Sequence, residues 1–436
     1  MGTVVSRKAF LMHINSGDTA WVLVSSALVL FMTPGLAFFY GGMVRSKNVL
    51  AMLAQNYVTM GIVSIIWAFV TYSLAFGPDW GGYGIIGTLH FFGLAHINQA
   101  VPGFAGSKAQ SIPPIVFVIF QMMFAIITPA IITGSTADRL KLSAFIVFIC
   151  IWSVLVYAPI AHWVFSPNGW LAKMGVEDFA GGSVVEMNCG IAGVAVAAVV
   201  GRRKGWPHES MTPHNVPLAL LGGGILWFGW FGFNAGSALG ANVLAANAFI
   251  NTNTAGAAAL LAWMIGEKIR TGKATTLGGI SGAVAGLVAI TPACGFVNLW
   301  GALAIGVVAG FVCEAAVHLK FKFKVDDSLD VGGVHLVGGI VGTLLIGLFG
   351  SRAINGVNGL LLGGNIGLLL HQALAVLVTV VYGFTMTWII AKVIHKTMGM
   401  RVTENQENVG LDLSLHAERA YEFGASLGVM IDSKNQ

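Results

Sequence analysis

Charged residues are scarce in this sequence. Only 9% of its 436 residues are Asp, Glu, Lys or Arg, and 56% are hydrophobic, whereas soluble domains carry about 25% charged residues. The mean hydropathy of +0.80 agrees with this imbalance. A soluble domain is therefore excluded. The net charge of +5 comes from basic residues scattered over short loops, so nucleic-acid binding is not expected.

Cysteine is also rare. The four residues lie in or beside apolar stretches and lack the spacing of metal ligands; they are Cys150, Cys189, Cys294 and Cys313. We interpret them as packing residues. The sequence predicts no metal site, no cofactor and no enzymatic activity.

Eleven apolar stretches make up most of the chain. Each is long enough, or nearly long enough, to cross a bilayer as a helix. They cover residues 19–44, 49–76, 112–134, 142–165, 179–201, 216–237, 243–266, 276–293, 297–319, 331–350 and 367–391. The eighth is the shortest. We predict an all-α membrane protein with eleven transmembrane helices, a multi-pass protein of the cell (plasma) membrane.

The basic residues predict how the chain is oriented. With the N-terminus outside, 18 of the 23 Lys and Arg residues lie on the inner side, as the positive-inside rule requires. The prediction is N-out and C-in, with an extracellular N-terminus over 1–18, a transmembrane domain over 19–396 and a cytosolic tail over 397–436. This tail is either a regulatory element or a solvated terminus.

The first ten spans divide into two sets of five. Because each set has an odd number of spans, the two sets have opposite orientations. Each set ends in a glycine-rich helix with one ionisable residue in mid-span. This pattern indicates inverted five-helix repeats, in which a solute site lies near the bilayer midplane. Small residues at helical spacing, such as Gly278, Gly282 and Gly286, also favour close helix packing.

Glu186 is the only acidic or basic residue between Phe179 and Val200. Counted from Asp178 as helix, its carboxylate lies about 12 Å into the span, well inside the apolar core. Ionisable groups at such a depth usually face a bundle interior or a solute pathway, next to a partner. We predict that the partner is His335 in the tenth span. The pair either handles protons in a pathway or only locks two helices together.

Asp178 precedes the fifth span, and Asp330 opens the tenth. Each can cap the exposed N–H groups at a helix start. A second and compatible role for Asp178 is to draw a cation to the outer mouth through its negative field. The same two roles, helix cap and source of a negative field, are possible for Asp330.

Aromatic residues form the third feature. Phe120 and Phe124 lie four residues apart, as do Phe233 and Ser237, so each pair shares one helix face. Phe residues in membrane helices usually pack in the core or face lipid. Beside a hydroxyl and a carboxylate, such rings can also bind a small cation, with about 0.5 to 2 kcal/mol from each.

These stretches resemble the ammonium transporter, methylammonium permease and Rhesus protein family, most closely its ammonium transporter branch. The resemblance runs from the first span into the tail. The motifs that carry it are Tyr40-Gly-Gly42, Phe120-Gln121, Asp178-Phe-Ala-Gly-Gly182, Trp230-Phe-Gly-Phe-Asn-Ala-Gly-Ser237, Thr291-Pro-Ala-Cys-Gly295, Gly333-Val-His335, Gly410-Leu-Asp412 and Ala420-Tyr421.

The resemblance implies a homotrimer of eleven-span subunits, each with its own narrow pore for ammonium or methylammonium. It implies an outer substrate site near Phe120 and Ser237, and two stacked gating rings at Phe124 and Phe233. In some members a cytosolic PII-type protein plugs the pores, which makes such a protein a candidate partner here.

The resemblance also implies a pore pair at positions 186 and 335, where this chain departs from the usual pattern. The family usually has histidine at position 186, although some fungal members carry glutamate. It usually has tryptophan in the outer site where Phe165 aligns, and phenylalanine is the weaker cation–π partner.

An ammonium ion pays a large desolvation penalty in an apolar pore, and like a buried lysine it loses its proton more readily there. We expect ammonium to bind outside, to be deprotonated near Asp178 and to cross as ammonia, with the proton relayed through Glu186 and His335. Two alternatives are an ammonium sensor that signals through its tail or a partner, and an electroneutral channel for ammonia gas.

Overall fold

The computed structural model describes residues 14–97 and 111–421. Over these ranges the chain is helical, and its only β pairing consists of isolated bridges. Ten helices are long and apolar enough to cross a membrane, and an eleventh apolar helix, α8, is shorter. The apolar helices are α1 Ser16–Met43, α2 Ser46–Phe76, α3 Pro114–Thr136, α4 Leu142–Lys173, α5 Gly182–Val200, α6 Val216–Gly236, α7 Val243–Thr271, α8 Thr276–Ile290, α9 Leu299–Phe323, α10 Gly332–Phe349 and α11 Ile366–Thr397.

The all-helical membrane architecture predicted from the sequence is confirmed. Helix α8 has 15 residues and is therefore about 22 Å long, less than a hydrocarbon core of about 30 Å. The count of eleven spans depends on this helix. Residues 1–13 of the predicted outer terminus and 422–436 of the predicted tail lie outside the described residues.

Side-chain caps set the first residue of many helices. In six of the described apolar helices, a side chain just before the helix accepts a hydrogen bond from a backbone N–H of the first turn, which satisfies a donor that has no partner inside the helix. These caps are Asn15, Asn215, Asn242, Thr275, Asn298 and Asn365. Helix α1 accordingly begins at Ser16, within the terminus predicted over 1–18.

Glycine allows the helices to approach closely, as the spacing predicts. A Cβ atom at Gly222 of α6 would lie 2.2 Å from the backbone nitrogen of Phe39 in α1. A Cβ atom at Gly286 of α8 would lie 2.4 Å from the backbone oxygen of Ala255 in α7. Backbone-to-backbone contact of this kind is how membrane helices gain packing energy without a hydrophobic driving force.

Helices α5 and α10 both begin with a π-helical turn, over Gly182–Met187 and Gly332–Leu336. Such wide turns are rare and often occur at functional sites. The first contains Glu186 and the second His335. Because α5 starts at Gly182 rather than at Asp178, Glu186 lies in the first turn of its helix. The predicted depth of about 12 Å along a helix from Asp178 is therefore wrong.

The described part of the tail packs against the N-terminal end of α2. It contains two short helices, α12 Glu404–Val409 and α13 Leu411–His416. The Asp412 carboxylate accepts hydrogen bonds from the backbone N–H groups of Leu50 and Ala51, at 3.0 and 2.8 Å. Glu407 pairs with Arg401 at 2.7 Å. Over its described residues the tail is therefore held against α2 by these hydrogen bonds.

Candidate functional site

The structure brings Glu186 and His335 together. His335 Nδ1 lies 2.7 Å from Glu186 Oε2, and both side chains are buried. They line a cavity of ≈ 10 Å³ whose other lining residues are apolar, which is about the space of one water molecule. A carboxyl and an imidazole in hydrogen-bond contact can share and exchange a proton, and such coupled groups titrate as a pair.

Asp178 fixes the start of the helix that carries Glu186. Its carboxylate accepts hydrogen bonds at 2.7 to 2.8 Å from three backbone N–H groups, those of Gly181, Gly182 and Ser183. This is the capping role predicted for it. Removal from water raises the pKa of Asp178 above its ordinary value, and the N–H donors oppose that rise because they stabilise the charged form.

The residue that caps α10 is Asp327, not Asp330 as the sequence suggested. The Asp327 carboxylate accepts hydrogen bonds from the N–H groups of Val331 and Gly332, at 3.2 and 2.7 Å. The backbone at Asp330 has a φ of 63°, and its carboxylate lies 2.5 Å from Lys320 Nζ. The turn thus directs Asp330 away from the helix start. The spacing along the chain also distinguishes Asp327. It precedes His335 by eight residues, and Asp178 precedes Glu186 by the same number.

Phe124 and Phe233 are buried neighbours, with ring centroids 4.4 Å apart. Their planes meet at 45°, so they are tilted rather than stacked face to face as the resemblance implied. Ring quadrupoles in general disfavour a face-to-face sandwich. Phe233 also lines the small cavity beside Glu186 and His335, so the aromatic pair and the ionisable pair are adjacent.

The residues predicted for the outer site, Phe120, Phe165 and Ser237, are neighbours of this ring pair. The ring of Phe120 lies 4.9 Å from that of Phe124, and the ring of Phe165 lies 6.3 Å from it, edge to face. Phe120 is fully buried, while Phe165 is only partly buried. Ser237 donates its hydroxyl proton to the backbone oxygen of Phe233 at 2.8 Å, which leaves its oxygen lone pairs free to accept.

A second cavity lies against His335, near the start of α10. It measures ≈ 90 Å³, and Tyr40, Ser281, Asp330 and His335 contribute its polar groups. Burial raises the pKa of Asp330 to about 6, although Lys320 opposes this. The described residues therefore place a partly exposed aromatic group, the Phe124–Phe233 ring pair, the buried ionisable pair and a polar cavity next to one another.

Comparisons with known proteins show which family the chain is similar to. The profile of the Ammonium Transporter Family matches residues 20–421. The chain is 49% identical to the ammonium transporter of Mycobacterium tuberculosis, over 96% of this chain and 92% of that protein. The crystal structure of Mep2 from Saccharomyces cerevisiae is similar, with a TM-score of 0.83 and 34% identity over 91% of this chain and 89% of that one. A sensor Amt protein has a TM-score of 0.84 and 31% identity, over 92% of this chain and 98% of that one.

Proposed function

Since this chain belongs to the ammonium transporter family, we propose that it conducts ammonium across the cell membrane as ammonia plus a proton. The observation that supports this mechanism is the 2.7 Å contact between Glu186 Oε2 and His335 Nδ1 inside an otherwise apolar cavity. A carboxyl and an imidazole in that place can take up and release a proton, whereas purely structural packing would favour apolar residues.

Ammonium, or methylammonium, binds first at the outer aromatic site. The partly exposed ring of Phe165 contacts the cation, the buried ring of Phe120 packs against Phe124 behind it, and the Ser237 oxygen offers a lone pair. The Asp178 carboxylate adds a negative field from the start of α5. Because backbone N–H groups already hold this carboxylate, it acts by its charge and does not swing out to bind the ion.

The ion then loses its proton on entering the dry part of the pore. The closed pair Phe124 and Phe233 leaves no space for a hydration shell, so the charged form is penalised and the neutral form favoured. Neutral ammonia passes the rings. The proton moves separately through Glu186 and His335 to the inner cavity, where Asp330 and solvent restore ammonium.

The test is the electrical current that ammonium pulses evoke in proteoliposomes. The Glu186→Gln variant keeps the shape and a hydrogen-bond donor or acceptor for His335 but cannot carry a proton. We expect its current to fall sharply. Glu404→Gln, the same chemical change at an exposed residue of α12, is the control and should keep the wild-type current. An unchanged amplitude and pH dependence in Glu186→Gln would rule out the relay.

Two other functions give different results in the same experiment. An electroneutral gas channel would show ammonia flux, measured as internal alkalinisation, with no current. A sensor is favoured only by the similarity to a sensor Amt protein, and it would bind ammonium with neither flux nor current.

The assembly is also part of the proposal. We propose eleven spans, counting α8, in two inverted five-helix repeats with the N-terminus outside, and three subunits per transporter. The matched π-helical starts of α5 and α10 support the repeat. A cytosolic PII-type protein is the proposed partner at the inner face. Native mass spectrometry tests the trimer, and accessibility of single introduced cysteines tests the orientation.

A further inference from the structure

Cys189 lies next to the buried pair. It follows Glu186 by three residues on α5, so the two share a helix face. The carboxylate oxygen of Glu186, the Sγ of Cys189 and a ring nitrogen of His335 all lie within 4.8 Å of one another, and all three residues are buried. Oxygen, sulfur and imidazole nitrogen are the ligand types that bind Zn²⁺ in proteins.

Two of these ligand atoms have lone pairs that no hydrogen bond uses. Glu186 Oε1 is buried and has no hydrogen-bond partner, which is costly for a buried polar atom. The Cys189 thiol donates to the backbone oxygen of Glu186 at 3.3 Å, so its sulfur lone pairs are available. An unpaired buried oxygen beside a sulfur and an imidazole is a feature that proton sharing between Glu186 and His335 does not explain.

We propose that Glu186, Cys189 and His335 form an inhibitory site for one thiophilic divalent cation of the Zn²⁺ class. The three ligand atoms must close around the ion when it binds, because Zn–S bonds are about 2.3 Å and Zn–N bonds about 2.0 to 2.1 Å. The fourth position of the tetrahedron is left for water or ammonia.

The charge balance favours the exchange of two protons for one Zn²⁺ ion at this site. Binding of Zn²⁺ displaces the thiol proton of Cys189 and the proton shared by Glu186 and His335. Two positive charges enter and two leave, so the net charge of the apolar site is unchanged. A divalent ion that displaced no protons would place two uncompensated charges in a site with hardly any water.

The ion reaches the site from the inner side. The ≈ 90 Å³ inner cavity includes His335 and Asp330, and it offers space for an ion next to the site. The outer route passes the closed rings of Phe124 and Phe233. Once bound, the metal holds both Glu186 and His335 and stops proton transfer between them; this inhibitory consequence rests on the proposed function, whereas the binding itself does not.

Binding is tested on the purified full chain with Zn²⁺ alone, by titration calorimetry and zinc X-ray absorption. We expect one Zn²⁺ per chain with a single sulfur ligand at about 2.3 Å. Cys189→Ala should lose the sulfur ligand and bind at least about tenfold more weakly. Cys294→Ala is the matched control, because Cys294 is also buried and donates to the backbone oxygen three residues earlier, at 3.5 Å. If Cys189→Ala does not fold, Cys189→Ser replaces it.

Zinc binding without a sulfur ligand, or equal zinc affinity in Cys189→Ala and the wild type, would overturn the site.

Transport is measured separately, as the ammonium-evoked current of each variant with and without Zn²⁺ on the inner side. Loss of wild-type current with Zn²⁺, relieved in Cys189→Ala and not in Cys294→Ala, supports the whole proposal. If Zn²⁺ binds tightly and the current is undiminished, the metal site is supported and the proton relay is refuted. A current that depends on Glu186 but a chain that binds no Zn²⁺ would refute the site alone.

Discussion

Asp178 and Asp327 hold equivalent places in the two halves of the chain. Each caps the π-helical turn that starts a membrane helix, and each lies eight residues before a member of the buried pair, Glu186 or His335. The two ionisable side chains are therefore held by two helix starts of the same construction. This arrangement explains how they stay within hydrogen-bond distance although they come from sequence positions far apart.

Substitution can separate the observed capping role of Asp178 from its proposed role in attracting ammonium. Asp178→Ala leaves three N–H groups without an acceptor, and hydrogen bonds to a charged group contribute about 1.5 to 3 kcal/mol each. We expect a clearly lower unfolding temperature in detergent. Asp178→Asn keeps one acceptor oxygen but no charge, so it should keep more of the stability and still bind ammonium more weakly. If Asp178→Ala unfolds at the wild-type temperature, the cap does not matter for stability.

Phe165→Trp should strengthen the outer site. Phe165 is the partly exposed ring of the aromatic group, and tryptophan is the better cation–π partner, with about 0.5 to 1 kcal/mol at an exposed site. We expect the half-saturating ammonium concentration to fall about two- to fivefold. Phe228→Trp, on the exposed face of α6, is the control and should not change it. A half-saturating concentration that stays at the wild-type value would show that Phe165 does not contact the ion.

Some of these features could be predicted from the sequence because their physical basis is local. An isolated charge in an apolar run needs a buried partner, and only a few residues were available, so Glu186 and His335 could be paired in advance. The cap of α10 could not be assigned in the same way. Asp326, Asp327 and Asp330 lie close together, and only the backbone turn, with a positive φ at Asp330, decides which one faces the helix start.

Other features depend on contacts between distant segments. The tilt of Phe124 against Phe233 is set by packing between α3 and α6, which periodicity does not encode. A π-helical turn contains more residues than an α-helical turn, so the side chains that follow it point in other directions than a period of about 3.6 residues predicts. For the same reason, the nearness of Cys189 to His335 was not foreseen, because a search for metal ligands by sequence spacing treats each helix alone.

Asp330 should make the stability of the chain depend on pH. Its pKa is raised from 3.8 to about 6, so between these pH values the folded state holds a proton that the unfolded state has lost. Its contribution to stability is therefore present at low pH and is lost as pH rises through about 6. We expect the unfolding temperature of the wild type, relative to Asp330→Asn, to fall from pH 4 to pH 7. A third of the side chain is exposed, so the change should be small. Parallel pH profiles for the two proteins would contradict this assignment.

The equivalence of the two helix starts allows a stricter test of the buried pair, which is to exchange its members. In the double variant Glu186→His with His335→Glu, each side chain stands at the position of the other, eight residues after its capping aspartate. If transport needs only one carboxyl and one imidazole in contact, the double variant should conduct, while Glu186→Gln should lose about a hundredfold, in the range typical for removal of a proton-transfer group. The measurement is the ammonium-evoked current, with His335→Glu alone as the control, because two carboxylates in contact repel each other and leave no imidazole. If the double variant is well folded but carries no more current than Glu186→Gln, then the direction of the pair along the pore matters. The proton would in that case have to pass from carboxyl to imidazole in one fixed order.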